Sequence, residues 1–381
     1  MLMRLMLTLS CLVLVLPPAT GQELSVIETD AEYAVIMDHD TGEILFSKRG
    51  SEPMVPASMT KVMTAQVVFD RLATGELALA DRFTVSENAW RKGNAASGGS
   101  TMFLEPGDTP TVAELLRGVV VVSGNDACIT LAEGISGSED AFAREMTAIA
   151  QERGLSSANF KNASGLYHKD HVISAVDLAK LAKIQIDEFP DMYAIYTEEE
   201  YMWNGIRQRN RNPILGKRGV DGLKTGHLSA SGYGLVASAE RGGKRRTIVI
   251  NGLETEAARA READRLMRQA FNAFETRTVV ANGELLAELP VSLGTNTKVG
   301  VALPETISLT AHKRAFPKAS AQVVYDGPLK APIAKGDEIA RLVVNVDGKE
   351  PLIYPLVATN SSERLGFFGR AIAGLSAMME N

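Results

Sequence analysis

Cysteine is nearly absent from this chain of 381 residues; only Cys11 and Cys128 occur. Cys11 lies in the opening stretch "MLMRLMLTLSCLVLVLPPATGQ". There Arg4 supplies a positive start, Leu5 to Leu16 an apolar run, and Ala19-Thr20-Gly21 the small residues of a cleavage site before Gln22. Residues 1–21 therefore read as a secretory signal peptide. The competing reading, a membrane anchor, needs about 20 apolar residues, and the run is shorter. The mature chain then keeps Cys128 alone, which excludes an internal disulfide framework. In "NDACITLAE" it stands at helical spacing among apolar residues and reads as a buried structural thiol, not a nucleophile.

An excess of positive charge is also lacking. Lys and Arg number 40 against 46 Asp and Glu, a net charge of −6, and no Lys/Arg block occurs. Nucleic acid is not an expected partner. There is no internal repeat and no low-complexity tract. With 45% hydrophobic and 23% charged residues the composition is that of a globular protein. The length suits two domains or one large one.

The pattern along the chain is mixed at first. "YAVIMDHDTGEILFSK" (33–48) predicts a β-hairpin turning at "DHDTG". A helix follows "PMVPAS" and stops near Gly75. Residues 97–110 form a Gly/Pro loop, and 111–137 reads as two helices broken at Ser123-Gly124-Asn125. Ser138 and Ser174 are N-caps of two further amphipathic helices. Strand patterns then alternate from 221 to 254, with a Gly-Gly turn at 242–243, before a helix over "EAARAREADRLMRQAFNAFE". From 276 to 358 only short strand-like runs separated by Pro and Gly remain, which predicts a second, all-β domain. Residues 359–381 turn helical again. Leu365, Phe368, Ile372, Leu375 and Met379 share one face, as suits an amphipathic helix lying on a membrane surface. A helix docked on protein is the alternative.

Three short motifs carry the chemistry: Ser58-Met59-Thr60-Lys61, Ser123-Gly124-Asn125 and Lys224-Thr225-Gly226. Each alone is weak, and Ser58 alone reads as a helix N-cap with Lys61 a solvated first-turn charge. Together and in this order they match the S-x-x-K, S-D-N and K-T-G set of penicillin-binding proteins and class A β-lactamases. The physics fits. A serine hydroxyl needs a base. Three residues apart on a helix, Ser58 and Lys61 share a face. Burial and the neighbouring Lys224 push the Lys61 amine toward its neutral form. Ser123 is placed to relay a proton to the leaving amine, and Asn125 to hold Lys61 and a substrate carbonyl. Gly226 allows close backbone approach. The N–H groups of Ser58 and His227 suit an oxyanion hole.

Longer segments, "PASMTKVMTA", "MFLEPGD", "SGNDACITLAE", "NASGL", "NRNPIL" and "VDGLKTGHLSASGYGLVASA", appear in the same order as in a known family. The chain resembles the low-molecular-mass penicillin-binding proteins of the 5/6 type, the D-alanyl-D-alanine carboxypeptidases of peptidase family S11. The resemblance is strong over about 30–270 and looser in the β domain, through "GTNTKVGVALPE" and "APIAKGDEIARL". It implies Ser58 as the acylated nucleophile and Lys61 as its base, with Ser123, Asn125 and Lys224 assisting. Thr225, Gly226, His227 and Arg211 would bind substrate, Arg211 through its terminal carboxylate. Two positions depart from the family pattern. Leu228 stands where Thr or Ser is common, and Ser164 stands where some members have His.

The resemblance implies an α/β (α+β) fold: a β-lactamase/transpeptidase-like domain over 22–275, with a five-stranded antiparallel sheet between helices and the K-T-G strand at its edge. A smaller all-β domain over 276–358 and an anchoring helix over 359–381 would follow. It implies removal of terminal D-alanine from peptidoglycan stem peptides, covalent inhibition by β-lactams, and no cofactor. The location implied is periplasmic, at the outer face of the inner membrane. A DD-endopeptidase and a non-catalytic cell-wall binder are the alternatives. A β-lactamase is disfavoured by S-G-N in place of S-D-N and by the long β extension. His168 and His171 of "LYHKDH" hint at a metal pair, but without nearby cysteines a solvated loop is the expectation.

Overall fold

The structure is a computed structural model and describes residues 27–346, 351–367 and 369. The signal peptide assigned to 1–21 lies outside the described residues. The helix assigned to 359–381 does not begin where expected: residues 359–366 are non-helical, because Ser362 and Arg364 bridge to Ile333 and Gly294 and the Leu365 N–H donates to the Leu293 carbonyl. Residues 368 and 370–381 of that helix lie outside the described residues. No helix among the described residues is long and apolar enough to cross a membrane. The chain divides into two compact units, Ile27–Asn272 and a second starting at Ala273.

The first unit opens with β1 (Tyr33–Asp38), β2 (Ile44–Lys48) and the two-residue β3 (Pro53–Met54). A 3-10 turn, Ala57–Thr60, leads into α1 (Lys61–Thr74). Then come α2 (Glu87–Gly93), α3 (Val112–Val120), α4 (Asn125–Ser136), α5 (Glu139–Glu152), β4 (Ile173–Ser174), α6 (Ala175–Glu188) and the short α7 (Pro190–Tyr193). A hairpin of β5 (Glu200–Trp203) and β6 (Ile206–Arg209) precedes β7 (Val220–Leu228), β8 (Gly232–Arg241), β9 (Lys244–Leu253) and α8 (Glu256–Asn272).

Local signals set many of these ends. Ser138 and Ser174 accept the N–H groups of Ala141 and Asp177, each relieving a donor that the first helical turn leaves free. Thr111 and Glu114 form a reciprocal capping box on α3. Gly75 ends α1 in the left-handed conformation, at φ 75°.

The main sheet is antiparallel, in the order β2-β1-β9-β8-β7. Its inner strands β1, β9 and β8 are buried on both faces. Val35, Met37, Val236 and Val249 join the large helical core with Val62, Val67 and Leu178. Their neighbours Ile36, Ala237, Ile248 and Ile250, equally buried, point to the opposite face by the two-residue period, where α8 packs. The edge strand β7 lies against the 57–60 turn, and that contact brings the first and third motifs together.

The second unit is all β. β10 (Phe274–Val280) pairs with β13 (Ile307–His312). The remaining strands are β11 (Leu285–Ser292), β12 (Lys298–Ala302), β14 (Ser320–Val324), β15 (Leu329–Lys330), β16 (Glu338–Asn345) and β17 (Leu352–Ala358). They form a six-stranded sheet in the order β14-β16-β17-β12-β11-β15. Leu289, Val301, Leu309, Leu342 and Leu356 build a core of its own.

Candidate active site

Ser58 is the one residue between Pro56 and Phe69 that is not fully buried. It sits in the 3-10 turn before α1, where it caps no N–H group. Residues three apart eclipse in such a turn, and Lys61 Nζ lies 2.8 Å from Ser58 Oγ. The amine reaches two further acceptors, Asn125 Oδ1 at 2.7 Å and the Ser164 carbonyl at 2.8 Å. Lys61 is 0% exposed, so it is no solvated charge. Burial holds its pKa below the usual lysine value.

The second motif makes the corner between α3 and α4. Ser123 adopts φ 66°, an uncommon conformation for a residue with a Cβ. It is buried, and its hydroxyl makes no hydrogen bond among the described residues. The corner is clamped by Asp126, which was not singled out from the sequence. Its carboxylate accepts from Thr101 Oγ1 and from the N–H groups of Met102 and Leu104. The loop over 100–104 is thereby fixed beside Asn125.

Lys224 and Thr225 lie buried on β7. The Lys224 amine makes only a long contact, 3.4 Å, to the Thr225 carbonyl. Burial, then Lys61, Arg211 and Arg259 drive its pKa well below the ordinary value. Burial lowers the Lys61 pKa as expected, but the expected help from Lys224 does not appear there; the influence runs the other way, from Lys61 onto Lys224. Gly226 is required by the protein itself. A Cβ there would come within 2.6 Å of the Pro56 carbonyl, so β7 is pressed against the nucleophile turn. His227 stacks on Tyr233 with ring centroids 3.8 Å apart. Arg211 is exposed and donates to Gln208 Oε1 at 3.1 Å.

Two further features escape sequence reasoning. The loop carrying Ser164 is wound around Asn162, whose Oδ1 accepts the N–H groups of Gly165 and Leu166. Its Ala163 is held by Glu139 through the N–H and by Thr64 through the carbonyl. His171 is the second. It is not in a solvated loop: it is 0% exposed and 2.7 Å from Thr60 Oγ1. Its Nδ1 accepts the Lys161 N–H at 3.0 Å, so Nε2 carries the proton and donates to Thr60. His168, by contrast, is exposed. Cys128 is buried, 3.2 Å from the Gly124 carbonyl, with its pKa pushed up to about 12 by burial.

Comparison with known proteins follows the same two units. Residues 19–255 match the D-alanyl-D-alanine carboxypeptidase family of peptidases S11, and 274–364 match the C-terminal domain of penicillin-binding protein 5. D-alanyl-D-alanine carboxypeptidase DacC of Escherichia coli is 36% identical over 356 residues, 92% of this chain and 89% of that relative. The crystal structure of penicillin-binding protein 5 from Haemophilus influenzae is 35% identical, with a TM-score of 0.69, covering 89% of this chain and 99% of that one. Penicillin-binding protein D2 of Listeria monocytogenes, in an ampicillin-bound form, is 27% identical with a TM-score of 0.58, covering 65% of this chain and 99% of its own. By sequence, by fold and by the grouping of its three motifs, the chain belongs to the D-alanyl-D-alanine carboxypeptidase family, peptidase family S11.

Proposed function

We infer that the chain is a serine-type D-Ala-D-Ala carboxypeptidase that removes the terminal D-alanine of peptidoglycan stem pentapeptides through an ester on Ser58. The arrangement of Lys61 carries this reading. As a neutral amine, Lys61 has two protons and one lone pair. Asn125 Oδ1 and the Ser164 carbonyl can only accept, so both protons go to them and the lone pair faces Ser58 Oγ. That is the geometry of a general base awaiting the serine proton.

Ser58 Oγ attacks the penultimate D-alanine carbonyl, and its proton passes to Lys61. The N–H groups of Ser58 and His227 hold the oxyanion. Ser123, otherwise without a partner, relays that proton from Lys61 to the departing nitrogen, and D-alanine leaves. Water then cleaves the ester and regenerates Ser58. The substrate's terminal carboxylate goes to Lys224, Thr225 and Arg211, where Arg259 adds positive charge. A β-lactam presents an acyl group and a carboxylate in similar relation and acylates Ser58 as a covalent inhibitor.

The same reading divides the chain into a signal peptide at 1–21, a catalytic domain at 22–275, an all-β domain from 276 and, after residue 366, an amphipathic membrane-surface helix that starts later than the 359 expected. It places the enzyme in the periplasm against the inner membrane. The sequence patterns of these segments support it.

The test is release of D-alanine from diacetyl-Lys-D-Ala-D-Ala by the protein starting at Gln22, with Ser58→Ala beside it. Release by the wild type and a loss of about 10⁴-fold or more in the variant are expected. A wild type that neither releases D-alanine nor is labelled at Ser58 by a fluorescent penicillin would sink the reading.

A further inference from the structure

The segment from β6 to Asn212 runs from the loop beside Asn125 to the strand that carries Lys224. At one end Gln208 Nε2 donates to the Thr101 carbonyl at 2.9 Å, on the loop clamped by Asp126. At the other end Asn212 Nδ2 donates to the Gly222 carbonyl at 2.9 Å, on the strand that carries Lys224. Between these anchors stand Arg209 and Arg211, both exposed. An open cleft here is lined by Arg207, Arg209, Arg211, Pro213 and Glu256.

The acids around the cleft are engaged elsewhere. Glu200, opposite Arg209 in the strand register, pairs with Arg207 at 2.8 Å. Glu256 pairs with Arg259 at 2.8 Å. Arg209 and Arg211 thus have no acidic partner among the described residues. Arg211 is the one whose charge acts on Lys224, so it belongs to the terminal-carboxylate pocket. Arg209 shares its strand face with Arg207 by the two-residue period and extends the positive field along the cleft. A single guanidinium can already take both oxygens of a terminal carboxylate, which leaves Arg209 for another anion.

We propose that Arg209 is a specificity residue forming a subsite for a second carboxylate on the leaving group. The proposal rests on the carboxypeptidase reading above and names the class of amine that the site releases well. These are D-amino acids, or peptide amines, that carry an acid beyond the one next to the departing nitrogen. The bonds made and broken are unchanged. The amide C–N bond breaks as the Ser58 ester forms, the departing nitrogen takes the proton that came from Ser58 through Lys61 and Ser123, and water later cleaves the ester. The second carboxylate adds an ion pair to the leaving part, so its effect falls on acylation and on kcat/KM.

The experiment compares diacetyl-Lys-D-Ala-D-Ala with diacetyl-Lys-D-Ala-D-Glu, which share the acyl part. For the D-Glu peptide, Arg209→Ala is expected to lower kcat/KM by about fivefold, the upper end for an exposed ion pair. For the D-Ala peptide it should stay within about twofold. Arg209→Lys should keep part of the preference, and added salt should erode it in the wild type. Equal losses on both peptides, no loss on either, or no D-Glu release by a wild type that releases D-Ala would overturn the proposal. If the wild type released neither, the carboxypeptidase reading would have failed. Competition of both peptides against fluorescent penicillin at Ser58 would then decide. A D-Glu advantage present in wild type and absent in Arg209→Ala supports the subsite, and equal competition overturns it.

Discussion

His171 links the two sides of the catalytic lysine. One ring nitrogen holds the Thr60 hydroxyl in the nucleophile turn, and the other holds the Lys161 N–H where the Ser164 loop begins. Phe160 packs its edge against the ring at 5.5 Å. Burial pulls the His171 pKa from 6.5 to about 3. The unfolded chain therefore takes up a proton below pH 6.5 that the native protein refuses until about pH 3. Stability from this group is present at neutral pH and is lost as the pH falls through that window, by about 1.4 kcal/mol per pH unit. His171→Asn, which does not titrate, should melt below the wild type at pH 7, and the gap should narrow toward pH 4. Thermal denaturation at the two pH values measures this; a gap that stays constant would contradict it. The same variant should lower kcat more than it raises KM, since His171 positions the base without touching substrate.

At the scale of elements, the loop over 162–166 and the turn over 57–60 are wedged together. Gly165 adopts φ 84°, and a Cβ there would lie 1.9 Å from the Ala57 carbonyl. Gly165→Ala must push the loop off the turn and draw the Ser164 carbonyl away from Lys61. A displacement of about 1 Å at a catalytic group costs about 100-fold, so the penicillin acylation rate should fall by roughly that factor while the protein stays folded. An unchanged rate would mean that the loop does not hold the base. This contact also shows why the site was only partly legible. Caps such as Ser138 and Ser174 announce themselves because their partners lie three residues away. The three motifs were legible through their order. The Ser164 carbonyl was not, because a main-chain oxygen is common to every residue type. His171 was misjudged because its polar neighbours describe the loop and say nothing of the turn that covers it. Asp126 was missed because its partners are backbone N–H groups upstream in the chain. Gly226 was expected to make room for substrate, whereas the Pro56 carbonyl occupies the space.

At the scale of the molecule, each unit has its own core, and Ser58, Lys61, Ser123, Asn125, Arg211 and Lys224 all lie in Ile27–Asn272. A chain covering 22–272 should therefore fold and release D-alanine with kcat/KM within about threefold of the longer protein. A folded fragment with far lower activity would give the β unit a direct part in catalysis. The sheet order has a different consequence. β1, nearly the first element made, finds its hydrogen-bonding partner in β9, nearly the last of the unit, in register from Tyr33 with Asn251 to Asp38 with Arg246. A chain emerging from its N-terminus cannot close this sheet until β9 has followed. Contacts of such long range form slowly. Until then one edge of β1 stays unpaired, a template for pairing with the wrong strand or with another chain.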